Sequence, residues 1–308
     1  MSLSARVPST AGGRLMNSNL QTSYRRLLEL QDQLSSGKQI RNPSDNPAGA
    51  ILAMNTRTQL RRSQQFERNT ADAQAWLNTA DSALVTSQDY LNKIRDLSIQ
   101  ARSGGVDDKA RNVIATQIEQ LRDSLVQLGN TSYNSRPIFA GTGTGTTALQ
   151  PSGQPTGAAN TAAVNRAVAP GVSVQINTDT TALYGTWVGT PGGDYAGSTF
   201  EVITKLAADI RNPSAPGADV AAGQTALDTA RERMASVQAS LGARSRRLED
   251  VSSRNANVSL ELTTSLAEVE DIDLPKTIID VQTQQMAYQA ALSVTAKVIQ
   301  PSLVDFLR

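Results

Sequence analysis

There is no cysteine and no histidine anywhere in the 308 residues, and only 4% of them are aromatic. Without cysteine, disulfide frameworks, thiol nucleophiles and iron–sulfur clusters are excluded. Without histidine, so are His-based triads, the usual zinc ligands and the commonest general base. Any catalysis would have to rest on carboxylates, lysine, serine or tyrosine. Neither sign of charge is in excess, with 29 Lys and Arg against 28 Asp and Glu, so bulk electrostatics give no reason to seek nucleic acid or an acidic membrane. No apolar run reaches the roughly 18 to 20 residues of a membrane helix, and residues 1–19 lack the apolar stretch of a secretory signal. Neither membrane insertion nor Sec export is expected.

Glycine and proline, the strongest local punctuators, are absent over some long stretches and dense in others. Neither occurs from Ala50 to Ser103, where Phe66, Ala73, Leu77, Ala80, Leu84, Leu91 and Ile94 recur at helical spacing. This is the seam of a long helix packed lengthwise on another, ended by Gly104-Gly105. A second run, Ile114, Ile118, Leu121, Leu125 and Leu128, stops at Gly129-Asn130. It predicts that residues 107–128 fold back as the second arm of an antiparallel hairpin. After residue 140 the texture changes to Gly, Thr and Pro with almost no charge, and short strands and turns are expected between Pro137 and Ser198. Val172–Ile176 and Leu183–Val188 are the predicted strands. Helix resumes over Phe200–Ile210, breaks at Asn212-Pro213, and continues through Leu227, Met234, Val237, Leu241, Leu248, Val251, Val258 and Leu262. Arg244 and Asn255 interrupt that seam and read as register-setting or solvated polar positions, not as a catalytic pair.

Each end of the chain carries its own heptad seam: Met16, Leu20, Ser23, Leu27, Leu30 and Leu34 at the front, and Ile278, Val281, Gln285, Tyr288, Leu292, Thr295 and Ile299 at the back. Helices of roughly 20 to 27 residues extend about 30 to 40 Å, and an isolated amphipathic helix is marginal without a partner face. The two ends are natural partners. The expected fold class is therefore mainly α, an elongated rod of long antiparallel helices with a small β-rich insert at one tip and paired N- and C-terminal helices. The expected division is a terminal coiled-coil domain (1–46 with 267–308), a long helical bundle (47–136 with 198–266) and a β-rich insert (137–197). Such a layout offers long faces to neighbouring copies and suits a polymer subunit better than an enzyme.

Candidate chemistry is sparse. The Gly141 to Gly145 run lacks the Lys-Ser/Thr of a P-loop and reads as a linker. Ser35-Ser36-Gly37-Lys38 matches Ser-x-x-Lys but has no companion motif and reads as a turn. Glu268, Glu270, Asp271 and Asp273 precede Leu274-Pro275 and a helix, where capping and the helix dipole favour acids; no EF-hand spacing is present. The pairs Arg25-Arg26, Arg61-Arg62 and Arg246-Arg247 lie on helices without interleaved aromatics, as solvated faces or inter-subunit ion pairs do. No catalytic, cofactor-binding or metal-binding residue is assigned, and no cofactor is expected.

The segment Leu30-Gln-Asp-Gln-Leu-Ser-Ser-Gly-Lys-Gln-Ile-Arg-Asn-Pro-Ser-Asp-Asn-Pro-Ala-Gly49 resembles the stretch after the first helix of bacterial flagellins and flagellar hook-associated proteins, and residues 284–308 resemble their terminal helix. Asn42-Pro43-Ser44-Asp45, Ile138-Phe-Ala-Gly-Thr142 and Ser302-Leu-Val-Asp-Phe-Leu307 are more similar to the hook-associated protein 3 family than to filament flagellins. Arg136-Pro137 and the longer start, Met1 to Pro8, depart from that pattern. The resemblance implies a non-enzymatic subunit of the bacterial flagellum. It would leave the cytoplasm unfolded through the flagellar type III channel and act as adaptor at the hook–filament junction, outside the cell. Implied partners are sister subunits, the first hook-associated junction protein, flagellin, and an export chaperone on the C-terminal helix. A short flagellin that forms the filament itself is the alternative. The residues expected to carry subunit packing are Leu20, Leu27, Leu34, Ile278, Val281, Tyr288, Leu292, Ile299, Phe306 and Leu307.

Overall fold

The computed structural model describes residues 9–103, 106–143, 145, 147–156, 162–189, 195–212 and 217–299. Its elements in chain order are α1 (Ser9–Ser36), α2 (Pro47–Arg102), α3 (Asp108–Gly129), β1 (Ser132–Tyr133), β2 (Arg136–Pro137), β3 (Asn165–Ala169), β4 (Val172–Gln175), α4 (Thr180–Tyr184), α5 (Thr199–Arg211), α6 (Gly217–Glu270) and α7 (Leu274–Ile299). The chain divides into two compact units, residues 62–258 and the pairing of 1–61 with 259–308. No helix among the described residues is long and apolar enough to cross a membrane.

In the central unit, α2 and α6 run antiparallel, as their cross-links show in sequence: Arg102 and Ser98 bond Gln224, Arg95 meets Asp228 at 3.0 Å, Gln88 meets Gln238, and Gln74 meets Ser245. The predicted seam residues Ala73, Leu77, Ala80, Leu84, Leu91 and Ile94 are all buried, with Leu227, Met234, Leu241, Leu248 and Val251 from α6. Asp107 caps α3 by accepting from Ala110 N, and Ile114, Ile118 and Leu125 of α3 join the core that holds Leu91 and Ile94 of α2. Helix α5 then packs on α3 with opposite sense, Arg122 bonding Thr204 and Arg211 pairing with Glu119.

The insert is built from two antiparallel hairpins, β1–β2 and β3–β4. Asn134 and Ser135 both take positive φ, 48° and 62°, as a two-residue hairpin turn requires. Val172 to Gln175 is a strand as expected, but Leu183–Val188 is not. Asp179 accepts from Thr181 N and starts the short helix α4, which Gly185 ends at φ 85°. Local capping thus overrides the β preference of the aromatics, and Tyr184 instead packs on Phe200, ring centroids 4.7 Å apart. The tip placement is also revised. Insert residues Ile138, Phe139, Leu149, Val168, Val174, Ile176 and Leu183 belong to the same core as the long helices, and β3 and β4 lie along the flank of α2 and α6.

Polar residues on the helices make that attachment. Asn69 Nδ2 donates to Ala167 O and Asn255 Nδ2 to Val168 O, each at 2.8 Å, while Arg244 donates to Asn177 O at 2.9 Å. Asn255 is 5% exposed, and burial pulls the Arg244 guanidinium below its usual pKa. These interruptions of the seam are therefore neither solvated nor merely register-setting; they hold the insert's backbone. At the α3 end, Asn130 bonds Ala148 N, Leu149 N and Leu149 O. A side chain at Gly129 would meet Leu149 at 2.3 Å.

Candidate functional site

The terminal unit contains α1, α7 and the adjoining ends of α2 and α6. Its joint forms where both chain breaks meet. Gly37, at φ 69°, turns the chain out of α1, and Lys38 forms a β-bridge with Asp271. Gln39 N donates to Glu270 O at 2.6 Å and Ile272 N to Gly37 O at 3.2 Å. The Lys38 ammonium lies 2.6 Å from Asp271, whose hydrogen bond raises its pKa. Glu270, 2% exposed, accepts from Arg57 at 2.8 Å. Burying a carboxylate is tolerable when it is so paired. Asp45 accepts from Arg41 N and Asn42 N, and these bonds hold its carboxyl below the usual range.

That geometry answers the chemical candidates. Ser35 and Ser36 are the last residues of α1 and only Gly37 is a turn, while the Lys38 ammonium is committed to Asp271. Asp273 begins α7 by accepting from Lys276 N. Among the described residues no three acidic side chains are gathered to hold a metal ion.

From the joint, α1 and α7 run antiparallel. Gln284 Nε2 donates to Ser23 Oγ at 2.8 Å and to Ser23 O at 3.0 Å, and the rings of Tyr24 and Tyr288 lie 5.5 Å apart. On α1 the inward seats are Met16, Leu20, Ser23, Leu27 and Leu30, the expected seam; Leu27 and Leu30 are buried and Leu34 is half-buried. On α7 the inward seats are Thr277, Val281, Gln284, Tyr288, Ala291 and Thr295. The sequence seam there ran through Ile278, Gln285 and Leu292, each one residue away. Ile278 and Leu292 are 42% and 44% exposed. Val281 and Tyr288 face α1 as expected. The side chain of Ile299, and Phe306 and Leu307 altogether, lie outside the described residues.

The helix surfaces left over are apolar. Leu274, Ile278, Ile279, Met286, Leu292 and Val294 are exposed on more than one side of α7, and Leu15 and Leu28 on α1. Ile51, Leu52 and Met54 add to them at the start of α2. Scattered exposed leucines are ordinary, whereas many on one small unit mark an interaction surface. What such a surface can do is bind other helices.

Comparison with known proteins decides which class of assembly this is. The family model for the bacterial flagellin N-terminal helical region matches residues 14–144, and that for the C-terminal helical region matches residues 224–307. The chain belongs to the flagellin family. Over 275 residues it is 26% identical to flagellar hook-associated protein 3 of Escherichia coli, covering 84% of this chain and 86% of that protein. To flagellin of Bacillus subtilis it is 24% identical over 274 residues, 86% and 87% of the two chains. The fold is similar to that of a chain described as a flagellar hook-associated protein from Vibrio parahaemolyticus. There the TM-score is 0.65 at 23% identity, with 74% of this chain and 100% of that chain covered. The flagellin-family subunit is thus a structural protein of the bacterial flagellum that assembles with other flagellar subunits, not an enzyme.

Proposed function

We propose that this flagellin-family subunit is the adaptor at the hook–filament junction, packed through its terminal unit against sister copies, with the first hook-associated junction protein on one side and flagellin on the other. The observation that carries assembly through the ends is the imbalance in the terminal unit. Among the described residues its exposed large apolar side chains outnumber the buried apolar ones, Leu27, Leu30, Ala50 and Ala53. The choice of junction over filament rests on the Asn42-Pro-Ser-Asp45 loop and on Ile138-Phe-Ala-Gly-Thr142.

Subunit packing is assigned to two sets. Ile278 and Leu292, exposed on α7, meet neighbouring copies directly, and Ile299, Phe306 and Leu307 are assigned the same role from the sequence. Leu20, Leu27, Leu34, Val281 and Tyr288 hold α1 to α7 and so set the shape presented. Residues 1–46 with 267–308 act as the assembly module, 47–136 with 198–266 as the long helical bundle, and 137–197 as the β-rich insert. Before assembly the subunit passes unfolded through the type III channel, and a cytosolic chaperone covers α7. A pull-down in which deletion of residues 268–308 leaves chaperone capture intact would remove that last step.

Negative-stain imaging of a deletion strain, beside a polymerisation assay of the pure subunit, tests the function. Hooks without filaments, flagellin in the medium and no long polymers are expected. Long filaments from the protein alone would make it a flagellin.

A further inference from the structure

Among its described residues the α1–α7 seam holds one pair of polar groups that meet each other. Ser23 sits among Met16, Leu20, Leu27 and Leu30, and opposite it Gln284 places its amide 2.8 Å from the hydroxyl and 3.0 Å from the carbonyl. We propose that Ser23 and Gln284 are the register lock of the terminal helix pair: specificity-determining residues that fix which faces of α1 and α7 are shown to neighbouring copies. The claim deepens the proposed assembly role, since it says what makes the assembly surface single-valued.

The Lys38–Asp271 bridge sets the near end of the pair; along the seam beyond it, Thr277, Val281, Ala291 and Thr295 are small, and small side chains set facing leucines discriminate poorly between one seat and the next. Sliding α7 by a heptad in either direction would put Gln284 against Met16 or Leu30, and a half-heptad step would put it against Leu20 or Leu27. In every one of those seats the amide loses its partner inside an apolar seam, a cost that favours the observed register. The Tyr24–Tyr288 ring contact at 5.5 Å is kept in that register alone. A slipped pair would still be helical and still be apolar outside. It would, however, carry Leu292 and Ile278 to the wrong height along the surface offered to the next copy.

The lack of cysteine makes the test clean, since introduced pairs report without background. Met16→Cys with Ala291→Cys reads the observed register, while Leu20→Cys with Val281→Cys or with Thr295→Cys reads a heptad slip either way. Intramolecular disulfide yield is measured in the monomer fraction of the full-length chain. In the otherwise native chain the 16–291 pair should close with an excess of about tenfold over either slipped pair. In Ser23→Leu/Gln284→Leu the excess should fall to near one while helix content, read by circular dichroism, is kept. Two results overturn the lock: no preference in the native background, or an undiminished preference in the double-leucine variant. Because the readout is made within one chain, it stands apart from the imaging that tests the junction role, and either can fail without the other.

Discussion

The central unit and the terminal unit are made of the same kind of helix and spend their apolar residues in opposite ways. In the central unit, side chains from α2, α3, α5, α6 and the insert close into one core, and of its large apolar residues only Val85, Ile99, Val113, Val188 and Val258 are exposed among those described. Among the described residues of the terminal unit four apolar side chains are buried, Leu27, Leu30, Ala50 and Ala53, and most of the other large ones look outward. Burying a leucine or isoleucine stabilises by about 1.5 to 3 kcal/mol, so the first unit collects most of that stabilisation within the chain. The second leaves much of it uncollected within the chain, to be supplied on the proposed assembly by a partner. Folding and assembly are thereby assigned to different stretches of one sequence.

The largest effect separating the two should come from Phe200→Ala. It removes a fully buried ring packed on Tyr184 and should cost about 3 to 5 kcal/mol, read as a lowered thermal midpoint of the central unit. Next, Asn255→Ala leaves Val168 O without its donor and should cost about 1 to 3 kcal/mol, with faster hydrogen exchange in β3.

Acid should act on the central unit through Glu201, whose carboxylate, 5% exposed, accepts from the backbone N–H groups of Val188, Gly189 and Ser198. Burial pushes its pKa up, but those donors outweigh it and the net shift is downward from 4.5. A depressed folded-state pKa means that the stabilisation is complete above 4.5 and is lost as pH falls through the lower folded value. Trp187 fluorescence should therefore report loosening of this loop only below that value, and Glu201→Gln should abolish the acid step. The smallest effect on stability sharpens the contrast most. Leu292→Asp should move the thermal midpoint by under about 0.5 kcal/mol equivalent, because the residue is 44% exposed, yet it should prevent incorporation into flagella. Normal filament growth in that strain would erase the distinction between the units.

Much of this architecture could be read beforehand, and the failures share a cause. Helix α2 was legible because nothing from Ala50 to Ser103 could break it and because its seam repeats over many turns. The α1 seam was legible for the same reason. On α7 the sequence pattern falls one residue from the α1-facing seats at Ile278 and Leu292, where the more apolar residue reads as the buried one, and heptad spacing carries Gln285 along with them. On the proposed assembly that rule inverts, and Thr277, Gln284 and Ala291 face α1 instead. At Leu183–Val188 the misreading was local: Asp179 and Gly185 bracket a single helical turn, a capping signal that aromatic content concealed. The roles of Arg244 and Asn255 needed three dimensions, because their acceptors lie 67 and 87 residues away in sequence.

Those two residues, with Asn69, fasten the insert in a particular manner. All three donate to main-chain carbonyls of the insert, those of Ala167, Val168 and Asn177, and a carbonyl is the same group whatever side chain it carries. The clasp is therefore indifferent to the identity of the residues it grips. The outward face of the insert can be rewritten, for camouflage by selection or for display by design, while the handle by which the helices carry it stays unchanged.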